Sequence, residues 1–365
     1  MRTRRNLMIG GGGLLLAGAA ATWLGLRDMG SMQDYTAAVT ALRAALPARP
    51  KAADLIRFAT LAANSHNTQA WTFHAEARSI TLAPDRTRAT PVVDPDDHHL
   101  FVSLGCAAEN LSIAAASRGL PGRLQFYARG GGVVRFSYAD GAAVDTDLSD
   151  VIALRQSTRG MYDGSTLTSA ELDRLAMAAR LPGVDLILMT DHGQMAKLAD
   201  LIAAANTAQI ADPAFMAELK HWMRFNPRDA INAGDGLFSA TTGNPVMPDW
   251  LGQMMLDWAY TSKSENTSNA AKIASSAGLA VFVAAKQDAE HWVKVGRACQ
   301  RFALQATAMG LKHAFLNQPV EVAALRPALA SLIGLPGRRP DLVMRFGRGA
   351  AMPYAARRPV SAVMV

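Results

Sequence analysis

Two long stretches of small and apolar residues repeat along the chain, and their pattern predicts a pair of matched core helices. LFVSLGCAAENLSIAAASRGL (100–120) aligns without gaps with HWVKVGRACQRFALQATAMGL (291–311). Each stretch ends in a glycine, Gly119 or Gly310, where the end of a helix favours a residue in the left-handed conformation. Because small residues let helices approach closely, we expect these two helices to pack in the core as duplicates of one unit.

A second, fainter repeat pairs the helical segments 53–63 and 170–180. The distance from Leu55 to Gly105 is 50 residues and that from Leu172 to Gly296 is 124, so the second copy carries about 74 additional residues. Much of this excess is an irregular stretch at about 224–262 that is rich in Pro, Gly, Met and Trp. Long irregular insertions are often lids or binding loops. A solvent-exposed excursion is the alternative, and the apolar content favours a cover.

The remaining patterns predict strands and therefore an α+β fold. Alternating residues indicate a hairpin at 71–85 and a second at 123–141 that turns at Gly130–Gly132. Continuous apolar runs at 278–286 and 340–349 indicate buried strands. We predict two pseudo-symmetric halves, each a mixed sheet flanked by helices, with a lid insertion in the second half.

The start of the chain has the layout of an export signal. Basic MRTRRNLM precedes an uncharged run from Leu7 to Leu26, and Ala19-Ala20-Ala21 is a candidate cleavage site. Thr3-Arg4-Arg5-Asn6-Leu7 resembles a twin-arginine signal. Left uncleaved, the run is long enough to span a bilayer at roughly 1.5 Å per residue. We predict a twin-arginine-type route to the periplasm or to the outer face of the cytoplasmic membrane, with a buried N-terminal helix as the alternative.

These features divide the chain into three parts and exclude some functions. Residues 1–30 form the signal or membrane anchor, 31–150 the first half and 151–365 the second half. The net charge is +7, and the first 30 residues supply +3 of it, which leaves too little to indicate nucleic-acid binding. Two cysteines, Cys106 and Cys299, are too few for a disulfide framework or a zinc site, and we expect both in the core.

A run of aspartates precedes the first core helix and bears on whether a metal is bound there. Asp94, Asp96 and Asp97 lie where a helix start favours acidic side chains, directly before His98 and His99. We therefore interpret the aspartates as capping residues, and the two histidines are not predicted to be metal ligands.

Three polar segments are candidates for ligand binding. AANSHNTQAW (62–71) places six polar side chains in a row before a strand. Arg155, Ser157 and Arg159 alternate near the start of the second half, and guanidinium groups with a hydroxyl suit a phosphate. Arg357-Arg358 form another basic cluster. A plain turn and a solvated charged face are the simpler alternatives, but together the segments suit one ligand with a phosphate at one end and a hydrogen-bonding aromatic ring at the other.

The order of these motifs resembles the nitroreductase family. SHNTQAW is similar to its S-x-N-x-Q-P-W segment, with Ala70 in place of proline, and RQSTR is similar to its R-x-S-x-R segment. MGLKHAFLNQPVE (309–321) resembles the turn after the core helix, while LIGLPGRRPDLVMRFGRG and RRPVSAVM resemble the C-terminal signature. The arrangement is similar to the Acg-like branch, in which two nitroreductase halves are fused. The resemblance covers about residues 35–365.

The resemblance implies a single FMN site between the two halves of a monomer that acts as a pseudo-dimer. Each half lacks the motif that the other retains, so neither is expected to hold FMN alone. The phosphate is expected at Arg155, Ser157 and Arg159 with Arg357 or Arg358, and the ring at Ser65, Asn67 and Gln69 with Asn317 and Gln318 nearby. His66 either packs beside the ring or donates a proton to a substrate.

Two functions fit this resemblance. The first is an FMN-dependent oxidoreductase that passes a hydride or electrons through flavin N5 to a quinone-like or nitroaromatic acceptor. The second is a non-catalytic protein in which 224–262 covers and sequesters FMN. After export the usual NAD(P)H donor would be missing, so turnover would require another small-molecule donor or a membrane partner. A membrane-anchored scaffold with a degenerate site is a more distant alternative.

Overall fold

The computed structural model describes residues 29–144 and 147–365, so nearly all of the predicted export signal lies outside the described residues. Within the described part, the helices α1 to α14 are Met32–Ala41, Ala52–Thr60, His98–Ala116, Asp147–Asp150, Ser169–Ala179, His192–Ile210, Pro213–Trp222, Pro227–Ala233, Ser239–Thr242, Asp249–Ala259, Ser262–Ala274, Ala289–Ala308, Gln318–Glu321 and Arg326–Leu332. The strands β1 to β10 are Trp71–Glu76, Ser79–Pro84, Gly122–Tyr127, Val133–Tyr138, Val184–Met189, Met223–Arg224, Leu237–Phe238, Gly278–Ala284, Lys312–Phe315 and Leu342–Gly347.

Two four-stranded sheets repeat the same topology. Their strand orders are β1-β2-β4-β3 and β5-β8-β10-β9, which is first-second-fourth-third in both halves. A core helix, α3 or α12, follows the second strand in each half. Neighbouring strands pair antiparallel, and parallel bridges add Met364 beside Phe73 and Ser157 beside His313. The predicted α+β fold with two pseudo-symmetric halves and mixed sheets is confirmed.

The two core helices touch through their backbones. A Cβ atom on Gly105 would lie 2.1 Å from the carbonyl oxygen of Val293, and one on Gly296 would lie 1.9 Å from that of Val102. Only glycine permits this distance. Buried residues of both helices and both sheets belong to one hydrophobic cluster. By length and composition α3 could cross a membrane, but 89% of its apolar window is buried, which is typical of a core helix.

The ends of the core helices follow the sequence prediction, with one difference at the start of α3. Gly119 and Gly310 have φ values of 74° and 73°, as the left-handed ends require. Asp94 caps α3, because its two carboxylate oxygens accept the backbone N–H groups of His99 and Leu100, each at 2.9 Å.

Asp96 and Asp97 were wrongly assigned to this capping. Their side chains instead form ion pairs with Arg339 and Arg86, because these guanidinium groups lie within reach of the turn before the helix. Cys106 and Cys299 are buried free thiols, as predicted.

The insertion of the second half is wider than the sequence indicated. It lies between β5 and β8, at residues 190–277, so the predicted range 224–262 is only its middle part. The long helices α6 and α11 belong to it as well, and Asn206 of α6 donates to Asn266 of α11 at 2.8 Å. The predicted range excludes both helices, because they lack the Pro and Trp residues that mark the middle part as irregular. They cover one face of the second sheet with a separate hydrophobic cluster.

The glycine contact yields a stability prediction. Gly296→Ala should lower the free energy of unfolding by about 3 kcal/mol, because the added methyl group pushes α12 away from α3 and overpacks the core. Urea unfolding followed by circular dichroism measures the change. Gly193→Ala is the control, since Gly193 lies in the first turn of α6 beside only the Asp191 side chain, and it should change stability by less than about 1 kcal/mol. Equal stability of the two variants would contradict the backbone contact.

Candidate functional site

The loop between α2 and β1 adopts a backbone that is rare outside glycine. His66, Asn67 and Gln69 have φ values of 44°, 55° and 54°. The Gln69 N–H donates to Asn64 Oδ1 at 2.9 Å, and the Ser65 N–H donates to Ser103 Oγ of α3 at 3.2 Å. Three non-glycine residues in the left-handed region store strain, and such strain clusters at binding sites.

Two arginines from distant parts of the chain converge on the C-terminal end of α2. Arg155 Nη2 donates to the Leu61 carbonyl at 2.9 Å. Arg357 donates through Nε to the Thr60 carbonyl at 2.6 Å and through Nη2 to the Ala62 carbonyl at 3.1 Å. Carbonyl groups at a helix end carry partial negative charge, which favours cations there. The helix of the first half therefore positions basic groups of the second half and the C-terminal tail.

These arginines line a small cavity of about 40 Å³ that contains an excess of positive charge. Burial lowers the pKa of Arg155 and of Arg43 to about 10, and the charges of Arg159 and of Arg155, respectively, add to this effect. The pKa of Arg357 is also lowered, by burial and by the charges of Arg43 and Arg155. Arg155 Nε and Nη1 and Arg43 Nε are buried without a hydrogen-bond partner among the described residues. The described lining contains four arginines and no carboxylate: Arg43, Arg155, Arg159 and Arg357. This donor set fits a phosphate group.

A larger cavity of about 340 Å³ adjoins the cationic one. The two share Ala63, Asn64, Arg159 and Leu237 in their walls. The large cavity is lined by the 62–71 loop, by α3, by the segment after β9 and by the insertion, so both halves contribute to it. Its volume lies at the lower end of the range for small-molecule sites, whose walls are mostly apolar with a few polar groups. Together the two spaces can accommodate a flat ring with an attached phosphate.

The structure brings most of the predicted site residues together. One group lines the cationic cavity: Asn67, Arg155, Ser157, Arg159 and Arg357. Another lines the large cavity: Ser65, His66, Arg159, Asn317 and Gln318.

Two predicted site residues, Gln69 and Arg358, line neither cavity. The Gln69 amide donates to the Gly234 carbonyl at 2.8 Å and accepts the backbone N–H of Arg358 at 2.9 Å. The Arg358 guanidinium donates to the Ala362 carbonyl at 2.6 Å and lies 3.9 Å from Asp85 Oδ2. Both side chains tie the loop to the insertion and to the C-terminal tail, and their contact with a ligand stays a prediction.

His66 lines the large cavity, and its protonation bears on the predicted roles. Burial lowers the pKa of His66 to about 4, and the positive charge of Arg159 adds to this effect. The ring is therefore neutral at pH 7 and does not serve as an imidazolium acid there. Packing beside a bound ring stays a prediction for this residue.

Sequence reasoning missed Arg345 and Arg43. Arg345 is 1% exposed within β10, donates to the Gly160 carbonyl at 2.6 Å and stacks over the Tyr162 ring at 4.0 Å. It therefore positions the segment that carries Arg159. An arginine within an otherwise apolar strand is the signal that could have identified Arg345 from the sequence. Arg43 lies between α1 and α2 in a stretch without a motif, and only the fold places it beside Arg155.

Hydrogen bonds engage the side chains of two of the three possible metal ligands that cluster at the start of α3. Atoms of Asp94, His98 and His99 lie within 4.8 Å of one another. Both Asp94 oxygens cap the helix, and His98 Nε2 lies 2.9 Å from Asp341 Oδ1. We assign no metal to it.

Comparison with known proteins gives matches over most of the chain. No family model matches the sequence. Two proteins of Mycobacterium tuberculosis, from strains CDC 1551 / Oshkosh and H37Rv, carry the provisional name NAD(P)H nitroreductase and are each 22% identical over 321 residues. The match covers 85% of this chain and 90% of each relative. The chain is thus similar to named nitroreductases in both of its halves. This supports the resemblance inferred from the motifs.

Solved structures also align with part of the chain. A nitroreductase with bound FMN from Desulfitobacterium hafniense DCB-2 is 13% identical, with a TM-score of 0.38 over 59% of this chain and 96% of that one. The FMN-dependent nitroreductase NfnB from Mycobacterium smegmatis, in complex with NADPH, is 12% identical, with a TM-score of 0.37 over 60% and 91%. At TM-scores this low, we infer no function from these overlaps.

Proposed function

We propose that the chain binds one FMN where its two halves meet and is an oxidoreductase of the nitroreductase type. The observation that supports this proposal is a small cavity lined by four arginines, with no carboxylate among its described lining residues. Arg155 and Arg357 are buried there, and the small cavity adjoins a larger one of suitable size for a flat ring. Bound FMN would supply hydride or electron transfer through N5 to a conjugated acceptor, quinone-like or nitroaromatic. The provisional name of the M. tuberculosis relatives is consistent with this reaction class.

The residues present fit the two ends of FMN. Arg155 would donate its free Nε and Nη1 to the phosphate, with Arg159, Ser157 and Arg43 around it. Asn317 and Gln318 would face the ring from the wall of the large cavity.

One site per chain is supported by the origin of these groups. The loop of 62–71 belongs to the first half, and Arg155 belongs to the second, so each half supplies what the other lacks. A match to relatives along 85% of the chain supports the proposal that two halves of the Acg-like kind are fused here.

Sequestration of FMN is the second candidate function, and one observation favours it. The insertion lines the large cavity with Leu237, Thr242, Leu256 and Tyr260. A segment in this position would act as a lid that separates a bound ring from solvent and from an electron donor. A lid that opens permits turnover, and one that stays shut gives a flavin-storage protein.

Anaerobic mixing with NADPH separates the two candidates. The protein, reconstituted with FMN, should hold close to one FMN per chain and lose its visible flavin absorbance when NADPH is added, because the oxidoreductase accepts a hydride. The measurement is stopped-flow absorbance. Tightly held FMN that stays oxidised with NADPH but is reduced by dithionite would support sequestration.

Matched arginine variants test the site itself. Arg155→Ala combined with Arg159→Ala should weaken FMN binding by at least about 100-fold, since charge-assisted hydrogen bonds contribute about 1.5–3 kcal/mol each. Arg135→Ala is the control, because Arg135 pairs with Glu76 on the outer face of the first sheet. Unchanged FMN affinity in the double variant would remove the phosphate assignment.

We also propose export by the twin-arginine-type route, on the strength of the leader sequence alone. Replacement of Arg4 and Arg5 by lysine should keep the protein in the cytoplasm of a bacterium with this pathway, whereas the native sequence should deliver it to the periplasm or the outer face of the membrane. Cell fractionation with immunoblotting measures the distribution. Identical cytoplasmic retention of both forms would contradict the proposal.

A further inference from the structure

One wall of the large cavity has hydrogen-bonding atoms that no protein group satisfies. His99 is 4% exposed, and its Nε2 atom has no partner among the described residues; neither has Gln318 Oε1. Glu321 lies near His99 in the same wall, with Oε1 3.9 Å from His99 Nδ1 and Oε2 accepting from Gln209 Nε2 at 2.6 Å. A buried polar atom without a partner costs about 1–3 kcal/mol. The wall is therefore arranged for a ligand that carries oxygen.

The surroundings raise the pKa of Glu321 and keep His99 neutral at pH 7. Burial raises the pKa of Glu321, and the negative charges of Asp94 and Glu218 add to this, while His99 and the Gln209 hydrogen bond oppose it. Tyr260 of the insertion also lies close enough to Glu321 to interact with it electrostatically. Burial and the neighbouring His98 lower the pKa of His99 to about 4. Glu321 therefore holds a proton to a higher pH than an exposed glutamate does.

The rest of this part of the cavity suits an aromatic body. Phe215 and Leu219 come from α7, Leu256 from α10 and Phe315 from the end of β9. Apolar side chains of this kind pack against flat rings, while the few polar groups fix their orientation.

We propose that Glu321, His99 and Gln318 form the oxygen-binding end of an acceptor subsite for quinones, and that the carboxyl group of Glu321 is the proton donor. The proposal rests on the proposed FMN-dependent function. A quinone offers a carbonyl oxygen that can accept hydrogen bonds from Glu321 and His99. The hydroxyl group of the hydroquinone product can donate to Gln318 Oε1. The wall therefore fits both a quinone and its hydroquinone product.

The reaction at this subsite balances with one proton from the protein. Two-electron reduction of a quinone needs a hydride, which bound reduced FMN would supply to one end of the quinone, and a proton, which Glu321 would give to the carbonyl oxygen at the other end. Both carbonyl π bonds are lost as two O–H bonds form and the ring becomes aromatic, and a hydroquinone leaves. The Glu321 carboxylate that remains accepts from Gln209 until solvent returns a proton. Because the donor must be protonated, the rate falls as pH rises through the raised pKa of Glu321.

The test uses FMN-loaded full chain reduced with dithionite and mixed anaerobically with 1,4-naphthoquinone over a range of pH. Glu321→Gln should bind FMN normally, reoxidise about 100-fold more slowly and lose the fall in rate at high pH, since general acid catalysis contributes about 10²–10⁴-fold. Glu290→Gln, on the surface beside Lys294, is the control and should behave as the native protein.

Equilibrium binding of 1,4-naphthoquinone to the oxidised protein gives a second readout that needs no turnover. Its affinity should fall as pH rises in the native protein and should be independent of pH in Glu321→Gln. Equal reoxidation rates with the same pH profile in both proteins would overturn the subsite proposal and leave the proposed function standing. Native protein that binds no FMN would instead overturn the proposed function. If Glu321→Gln fails to fold, a pH-independent affinity of the native protein for naphthoquinone overturns the subsite.

Discussion

The interaction on which the site depends is the donation of two buried guanidinium groups to the carbonyl oxygens at the end of α2. Arg155 and Arg357 come from different parts of the chain and meet at Thr60, Leu61 and Ala62. The partial negative charge of the helix end offsets only part of their desolvation and mutual repulsion, which is why the pKa values of both arginines are lowered. Arg155 Nε and Nη1 are left without a partner among the described residues, and this arrangement suits an anion.

Duplication explains how such a site arises in one chain. The two sheets share one strand order, and their core helices meet at Gly105 and Gly296 without intervening side chains. This backbone contact fixes the halves relative to one another, so that the loop of 62–71 lies beside the segment of Arg155. The insertion of 190–277 exists in the second half only, and it lines the one large cavity described between the halves.

The sequence was sufficient for features that depend on local patterns. The hairpins, the core helices and their left-handed glycine ends were all predicted, because periodicity and turn residues determine them. The prediction placed Gln69 and Arg358 at the ligand, whereas in the structure neither side chain lines a cavity. A motif does not reveal which way its side chains point. Arg43 and Glu321 could not be found, because they join the cavities only through tertiary packing. The insertion was underestimated, since its flanking helices look regular.

The central claim is that buried arginines bind a phosphate, and a comparison of FMN with riboflavin tests it most directly, because the two ligands differ only in that group. Titration calorimetry of the native protein and of Arg155→Met gives the four dissociation constants. FMN should bind the native protein at least about 100-fold more tightly than riboflavin does, and the replacement should remove most of this difference, as the loss of charge-assisted bonds implies. Equal affinity of the native protein for both ligands would contradict the account.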